Sequence, residues 1–168
     1  MIPLEKIRLD KRGASPSWRL MRIPLTILGL SLALATPARA DRCGDLIDRV
    51  ITATGATLVR RTIDFAEFKA AEDVGLTLAC GDLSAVGAQF KGPTLPAGYF
   101  ALFGRAGQAI NGLTAEAIAE AGRTARASAE TKRHSKVDAG KALVTCSVSN
   151  SADGPVTACA VIDKDDRT

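Results

Sequence analysis

Residues 142–162 read ALVTCSVSNSADGPVTACAVI, and the two runs of alternation inside them decide the fold class. Ala142, Val144, Cys146 and Val148 fall on one face of an extended segment. Asn150 to Pro155 supply turn residues, and Val156, Ala158, Ala160 and Ile162 alternate in turn. Period-two patterning on both sides of a turn-rich stretch predicts a β-hairpin. Pairing Val148 with Val156 gathers all eight residues on one buried face and turns Cys159 away from Cys146. A shift of one residue would bring the two cysteines opposite each other and scatter the apolar face, so the hydrophobic pattern favours the first register. In that register Cys43 or Cys80 becomes the expected partner of Cys146. All three connectivities of four cysteines stay open.

Upstream, Leu46, Ile47, Val50 and Ile51 form one apolar stripe of a helix stopped near Gly55, with Cys43 on its buried side. Thr57 to Phe65 reads as a strand, with Val59, Arg61, Ile63 and Phe65 on one face. A second strand carries Val74, Leu76, Leu78 and Cys80. Residues 81–98, punctuated by Gly81, Gly87, Gly92, Pro93, Pro96 and Gly98, read as loop. A helix is expected from Tyr99 through Ile110, ended by Asn111-Gly112. Thr114 then caps an alanine-rich helix running to about Lys132, with Leu113 and Ile118 at the spacing of a hydrophobic staple. The stripe Ile118, Gly122, Ala125, Ala129 is nearly all small and suits close packing, as do Gly104 and Gly107 on the preceding helix. The order helix–strand–strand thus occurs twice, although the residues do not repeat. The expected fold class is α+β: a small antiparallel sheet of two hairpins with helices packed on one face, stapled by disulfides.

The chain has 168 residues, 46% hydrophobic and 24% charged, an ordinary globular composition. Its net charge of +4 is a property of its beginning. Seven of the 22 basic and two of the 18 acidic residues lie in residues 1–40, which leaves 15 against 16 in the remainder. Arg22, the apolar run PLTILGLSLALA (24–35), the breaker Pro37 and the small-residue site Ala38-Arg39-Ala40 together read as a secretory signal cleaved before Asp41. Residues 1–20 are either a long basic n-region or an upstream mis-start, with Met21 the true start. Residues 41–168 are expected to form one secreted, periplasmic domain. No cysteine directly follows the apolar run, so no lipid anchor and no stable membrane attachment is expected after cleavage. A domain of net −1 lacks the excess positive charge that nucleic acid requires, and no such partner is expected.

Cys43, Cys80, Cys146 and Cys159 all follow the leader, and an even count in an oxidising compartment reads as two disulfides. In the chain-entropy model each would contribute about 3–4 kcal/mol. There is no C-x-x-C, and His134 is the chain's one histidine, so neither a metal nor a redox cofactor is expected. Nucleophile-elbow, phosphate-loop and dinucleotide motifs are missing. His134 lies in TKRHSK (131–136), where it reads as a solvated cation at the end of the long helix. The segment 92–110 concentrates Tyr99, Phe100 and Phe103, three of the six aromatics after the leader. They are the candidate binding residues, with Arg105 as a polar handle. The competing view is that these rings fill the core of an alanine-rich domain.

The leading expectation is a non-catalytic binding or accessory protein of the cell envelope, acting on a protein or small ligand, with inhibition one such role. A second reading is a small envelope hydrolase using Glu116 with Glu120, or Glu72 with Asp73. A third is a structural component of an envelope assembly.

Overall fold

The computed structural model describes residues 41–152 and 154–165; the leader, residues 1–40, lies outside the described residues. The elements are α1 (Arg42–Thr54), β1 (Thr57–Arg61), β2 (Phe65–Lys69), a 3-10 turn (Ala71–Asp73), β3 (Gly75–Cys80), β4 (Ser84–Lys91), α2 (Tyr99–Asn111), α3 (Ala115–Lys132), β5 (His134–Ala139), β6 (Ala142–Ser151) and β7 (Gly154–Asp163). The strands form one antiparallel sheet in the order β1-β2-β3-β4-β7-β6-β5. Two meanders, β1 to β4 and β5 to β7, run inward from opposite edges and join where β4 pairs with β7. All three helices pack on one face: α1 against β3, α2 against β4 and β7, α3 against β5 and β6.

The helices follow the sequence pattern closely. In α1, Leu46, Ile47 and Val50 are buried, the Asp41 side chain caps the first turn by accepting from Gly44 N–H at 3.0 Å, and Gly55 closes the helix at φ +68°. Thr114 caps α3 by accepting from Ala117 N–H at 3.2 Å, while Ile118 is fully buried. The small-residue stripe does what its composition permits. A Cβ added at Gly104 would lie 2.2 Å from the Ala115 carbonyl oxygen, and one at Gly122 would lie 2.9 Å from the Phe103 ring.

The strand assignment departs from expectation in three places. First, the strand expected from Thr57 to Phe65 is a hairpin: Thr62 N–H donates to the Phe65 carbonyl at 2.7 Å, and Ile63 sits at the turn, 91% exposed. Local hydrogen bonding between Thr62 and Asp64 favours a turn that β-propensity alone conceals. Second, residues 84–91, read as loop because of Gly87, form β4. An added Cβ at Gly87 would come within 2.7 Å of Thr77 Oγ1 on β3, so this glycine marks close approach rather than a break. Third, His134 does not end the long helix but opens β5, since Arg133 leaves the helix at φ +66°. The sheet therefore has seven strands instead of two small hairpins.

The C-terminal hairpin takes the register that the apolar pattern argued against. Val148 faces Thr157, Val144 faces Val161, and Cys146 faces Cys159. Ala142, Val144, Cys146, Thr157, Cys159 and Val161 line the helix-covered face and are buried, whereas Ala158, Ala160 and Ile162 turn to the other face. The two disulfides are Cys43–Cys80, which ties the start of α1 to the end of β3, and Cys146–Cys159 across the hairpin. The expected bond from Cys146 to Cys43 or Cys80 is thus corrected. β7 is small and apolar on both faces, so counting apolar residues could not phase it.

Candidate functional site

The aromatic segment belongs to the core. Tyr99 and Phe103 are fully buried, and Tyr99 donates its hydroxyl to the Ala88 carbonyl at 2.6 Å, which fixes α2 on β4. Burial pushes the Tyr99 phenol well above its ordinary range. Phe100 is half-buried, edge-on to Tyr99 at 5.2 Å and beneath the Arg123 guanidinium at 5.7 Å. Arg105 is exposed, and its Nε donates to the Ala53 carbonyl at 3.0 Å, satisfying an acceptor at the C-terminal end of α1. Two of the three rings offer no surface to a ligand. An α3 stripe of glycine and alanine needs large partners, and these rings supply them.

The carboxylate pairs lie on the outside. Glu116 and Glu120 are exposed beside Arg105 and Arg123 at a recess of about 440 Å³ between α2 and α3, and Glu120 is engaged by Arg123 at 2.7 Å. Glu72 and Asp73 are exposed on the 3-10 turn, with Asp73 paired to Lys69 at 3.1 Å. Among the described residues no group of three or more His, Cys, Asp or Glu side chains converges as a metal set.

A recess of about 650 Å³ lies on the face of the sheet opposite the helices. Strand register determines what paves it. One row of neighbours crosses the whole sheet: Arg60, Glu67, Thr77, Gly87, Ala160, Thr145, Lys136. The adjacent row, two residues along each strand, runs Lys69, Gly75, Gln89, Ala158, Ser147, His134. Apart from Gln89, the centre of both rows is glycine, alanine, serine and threonine, while the larger polar and charged side chains stand at the edges. Small residues in the middle of a twisted sheet leave a trough that larger ones would fill. Its floor offers hydroxyls and apolar methyls, with the Gln89 amide within the trough and His134 and Lys136 along one wall.

Among the described residues the trough does not assemble a serine–histidine–carboxylate set. His134 stands opposite Ser147, yet the Ser147 hydroxyl donates to the Ala158 carbonyl at 3.5 Å, and no carboxylate accepts from His134 among the described residues. A serine nucleophile needs a base within hydrogen-bond reach and a group that orients that base. Sequence reasoning missed this face because most contributors were assigned elsewhere: Gly87 and Gln89 to a loop, His134 and Lys136 to a helix end, Ala158 and Ala160 to the core. The readable signal was β7 itself, whose VTACAVI is small or apolar at every position. No protein-family model matches the chain, nor does any curated protein or solved structure.

Proposed function

We propose that this is a non-catalytic binding or accessory protein of the cell envelope, exported behind its leader, that holds its ligand or partner on the helix-free face of the sheet. The observation that carries this reading is the 650 Å³ trough, whose floor is built from Thr77, Gly87, Thr145, Ser147, Ala158 and Ala160. The open face of an antiparallel sheet ordinarily presents polar and charged side chains to water. Alanine and glycine at its centre leave a shape suited to an occupant instead. The two disulfides and the signal-like leader support an oxidising compartment. Among the described residues, no helix is long and apolar enough to cross a membrane. No observation of comparable weight supports the carboxylate hydrolase or the structural component.

Ala160→Phe tests the reading, because it fills the trough from the face that the helices do not touch. Protein recovered from its own host's envelope fraction is examined by native mass spectrometry. The wild type is expected to carry a bound small molecule or partner that Ala160→Phe lacks, with both variants melting within a few degrees of each other. A bare wild-type protein, or equal occupancy in both variants, would overturn the proposal.

A further inference from the structure

The sheet ends at two edges, and they are guarded differently. At β1 the pairing with β2 shifts between Leu58 and Arg60, so Val59 is the extra residue of a bulge, 65% exposed. Arg60 and Arg61 follow it, held by Glu67 and Asp41. A bulge with adjacent charges is a common way to keep an edge from pairing. Strand β5 has no such interruption: it is in regular register with β6 from His134 to Ala139.

The register also fixes which backbone groups of β5 are used. Val148 N–H donates to the Arg133 carbonyl at 3.0 Å, while Arg133 N–H turns back to the Ala129 carbonyl at 2.7 Å; the single bond still sets the parity, with Arg133 and Val148 at a narrow position of the ladder. Two residues on, Ser135 with Cys146 and Val137 with Val144 have the same parity. His134, Lys136 and Asp138 are therefore the wide pairs, and their N–H and C=O groups point away from the sheet. These three residues are exposed, and no strand pairs with this edge among the described residues.

The unpaired charge along this edge is positive. Lys132, Arg133 and Lys136 stand at its start and make no ion pair among the described residues. The strand's one carboxylate, Asp138, is held by Lys164 Nζ through two bonds of 2.9 Å. The nearest helical acid, Glu130, is engaged by Arg126. We propose that β5 receives an extended acidic segment of a partner protein as an eighth strand. Its backbone would pair with the outward groups of His134, Lys136 and Asp138, and alternate acidic side chains would lie beside His134 and Lys136. This rests on the hydrogen-bond register and charge of the edge; His134 and Lys136 also wall the trough, but the backbone groups that pair with the added strand point outside it.

The test uses 15N-labelled protein and a synthetic eight-residue peptide alternating glutamate and valine. Saturable shifts are expected on the amides from His134 to Asp138, with exchange slowed at His134, Lys136 and Asp138, and binding weakened by added salt. Lys136→Pro removes the central outward donor while leaving the ladder to β6 intact, since proline is tolerated on an edge where its nitrogen faces solvent. It is expected to keep the wild-type melting temperature within a few degrees and to bind at least tenfold more weakly. Should that variant fail to fold, Lys136→Glu serves: it should weaken the acidic peptide at least tenfold and take up a lysine–valine peptide instead. Ala160→Phe should leave peptide binding unchanged, which separates this proposal from the one above. No shifts up to 1 mM peptide, shifts centred on another part of the sheet, or undiminished binding by the Lys136 variants would overturn it.

Discussion

Gly104→Ala sets two effects of opposite sign against each other. In a helix interior, alanine is more favourable than glycine by about 1 kcal/mol, so propensity alone predicts a more stable protein. The packing predicts the reverse. The new Cβ would lie 2.2 Å from the Ala115 carbonyl oxygen, 3.0 Å from its carbonyl carbon and 3.2 Å from Ala119 Cβ. Two of these atoms are backbone in the first turn of α3, where the Thr114 cap and buried Ile118 hold the chain. At Gly107 and Gly122 the corresponding neighbours are side-chain atoms of Val161, Ile118, Phe103 and Phe100, which can rotate. At Gly104 the helices themselves must separate by roughly 1 Å to restore ordinary contact of about 3.3 Å. Overpacking costs about 1–3 kcal/mol, and a backbone obstacle places this site at the upper end. The net expectation is a loss of about 2 kcal/mol, or a fall in Tm of roughly 8 °C for a domain of this size. Thermal and urea unfolding followed by circular dichroism would measure it. Gly75→Ala is the control, because its Cβ meets nothing nearer than the Gln89 carbonyl at 3.9 Å. A Gly104→Ala protein stabilised by about 1 kcal/mol would refute the close α2–α3 approach.

The two disulfides should differ in what their loss releases. Replacing Cys43 and Cys80 by alanine opens a link spanning 37 residues and should cost about 4 kcal/mol in the chain-entropy model, with hydrogen exchange rising first in α1. The Cys146–Cys159 link spans 13 residues within a hairpin already held by its own ladder, and its removal should cost about 3 kcal/mol with no selective loss of α1 protection. Equal exchange profiles for the two double variants would contradict this division. Acid should act partly through Asp41, whose carboxyl the Arg61 guanidinium and then the Gly44 amide hold below the usual carboxylate value of 3.8. A depressed folded-state pKa adds stability above the unfolded value and loses it as pH falls through the folded one. The stability gap between wild type and Asp41→Asn should therefore narrow below about pH 3.8 in unfolding curves taken from pH 6 to pH 2; a gap independent of pH would sink the assignment.

How legible the fold was in the sequence depended on whether local chemistry or long-range pairing fixed each element. α1, α2 and α3 announce themselves through an apolar stripe, Thr114 as a cap, and Gly55 and Gly112 as left-handed stops, all encoded within a few residues. Strand β3 was equally clear, because Leu76, Leu78 and Cys80 point to helices while Gly75, Thr77 and Ala79 do not. β4 was hidden by Gly87, whose role depends on Thr77 in a neighbouring strand, and no local rule distinguishes that from a break. β5 was hidden by its composition: HSKVDA is an edge strand with charged residues on its open side, which resembles a polar helix terminus when read alone.

The hairpin β6–β7 failed for a different reason, and that reason bears on function. Register is strongly specified when one face of a strand is apolar and the other polar. In β7 the helix side takes Thr157, Cys159 and Val161, and the open side takes Val156, Ala158, Ala160 and Ile162. By hydropathy the open side is the more apolar of the two, so a rule that buries the more apolar set must choose wrongly. What fixes the true register is the covalent match of Cys146 with Cys159, together with the fit of Val144 and Val161 beneath the helices. An ordinary solvated face would have carried lysines, glutamates and threonines here and made the register legible. Two of the residues that defeat the phasing of β7, Ala158 and Ala160, also pave the floor of the trough, and the binding proposal draws on that coincidence.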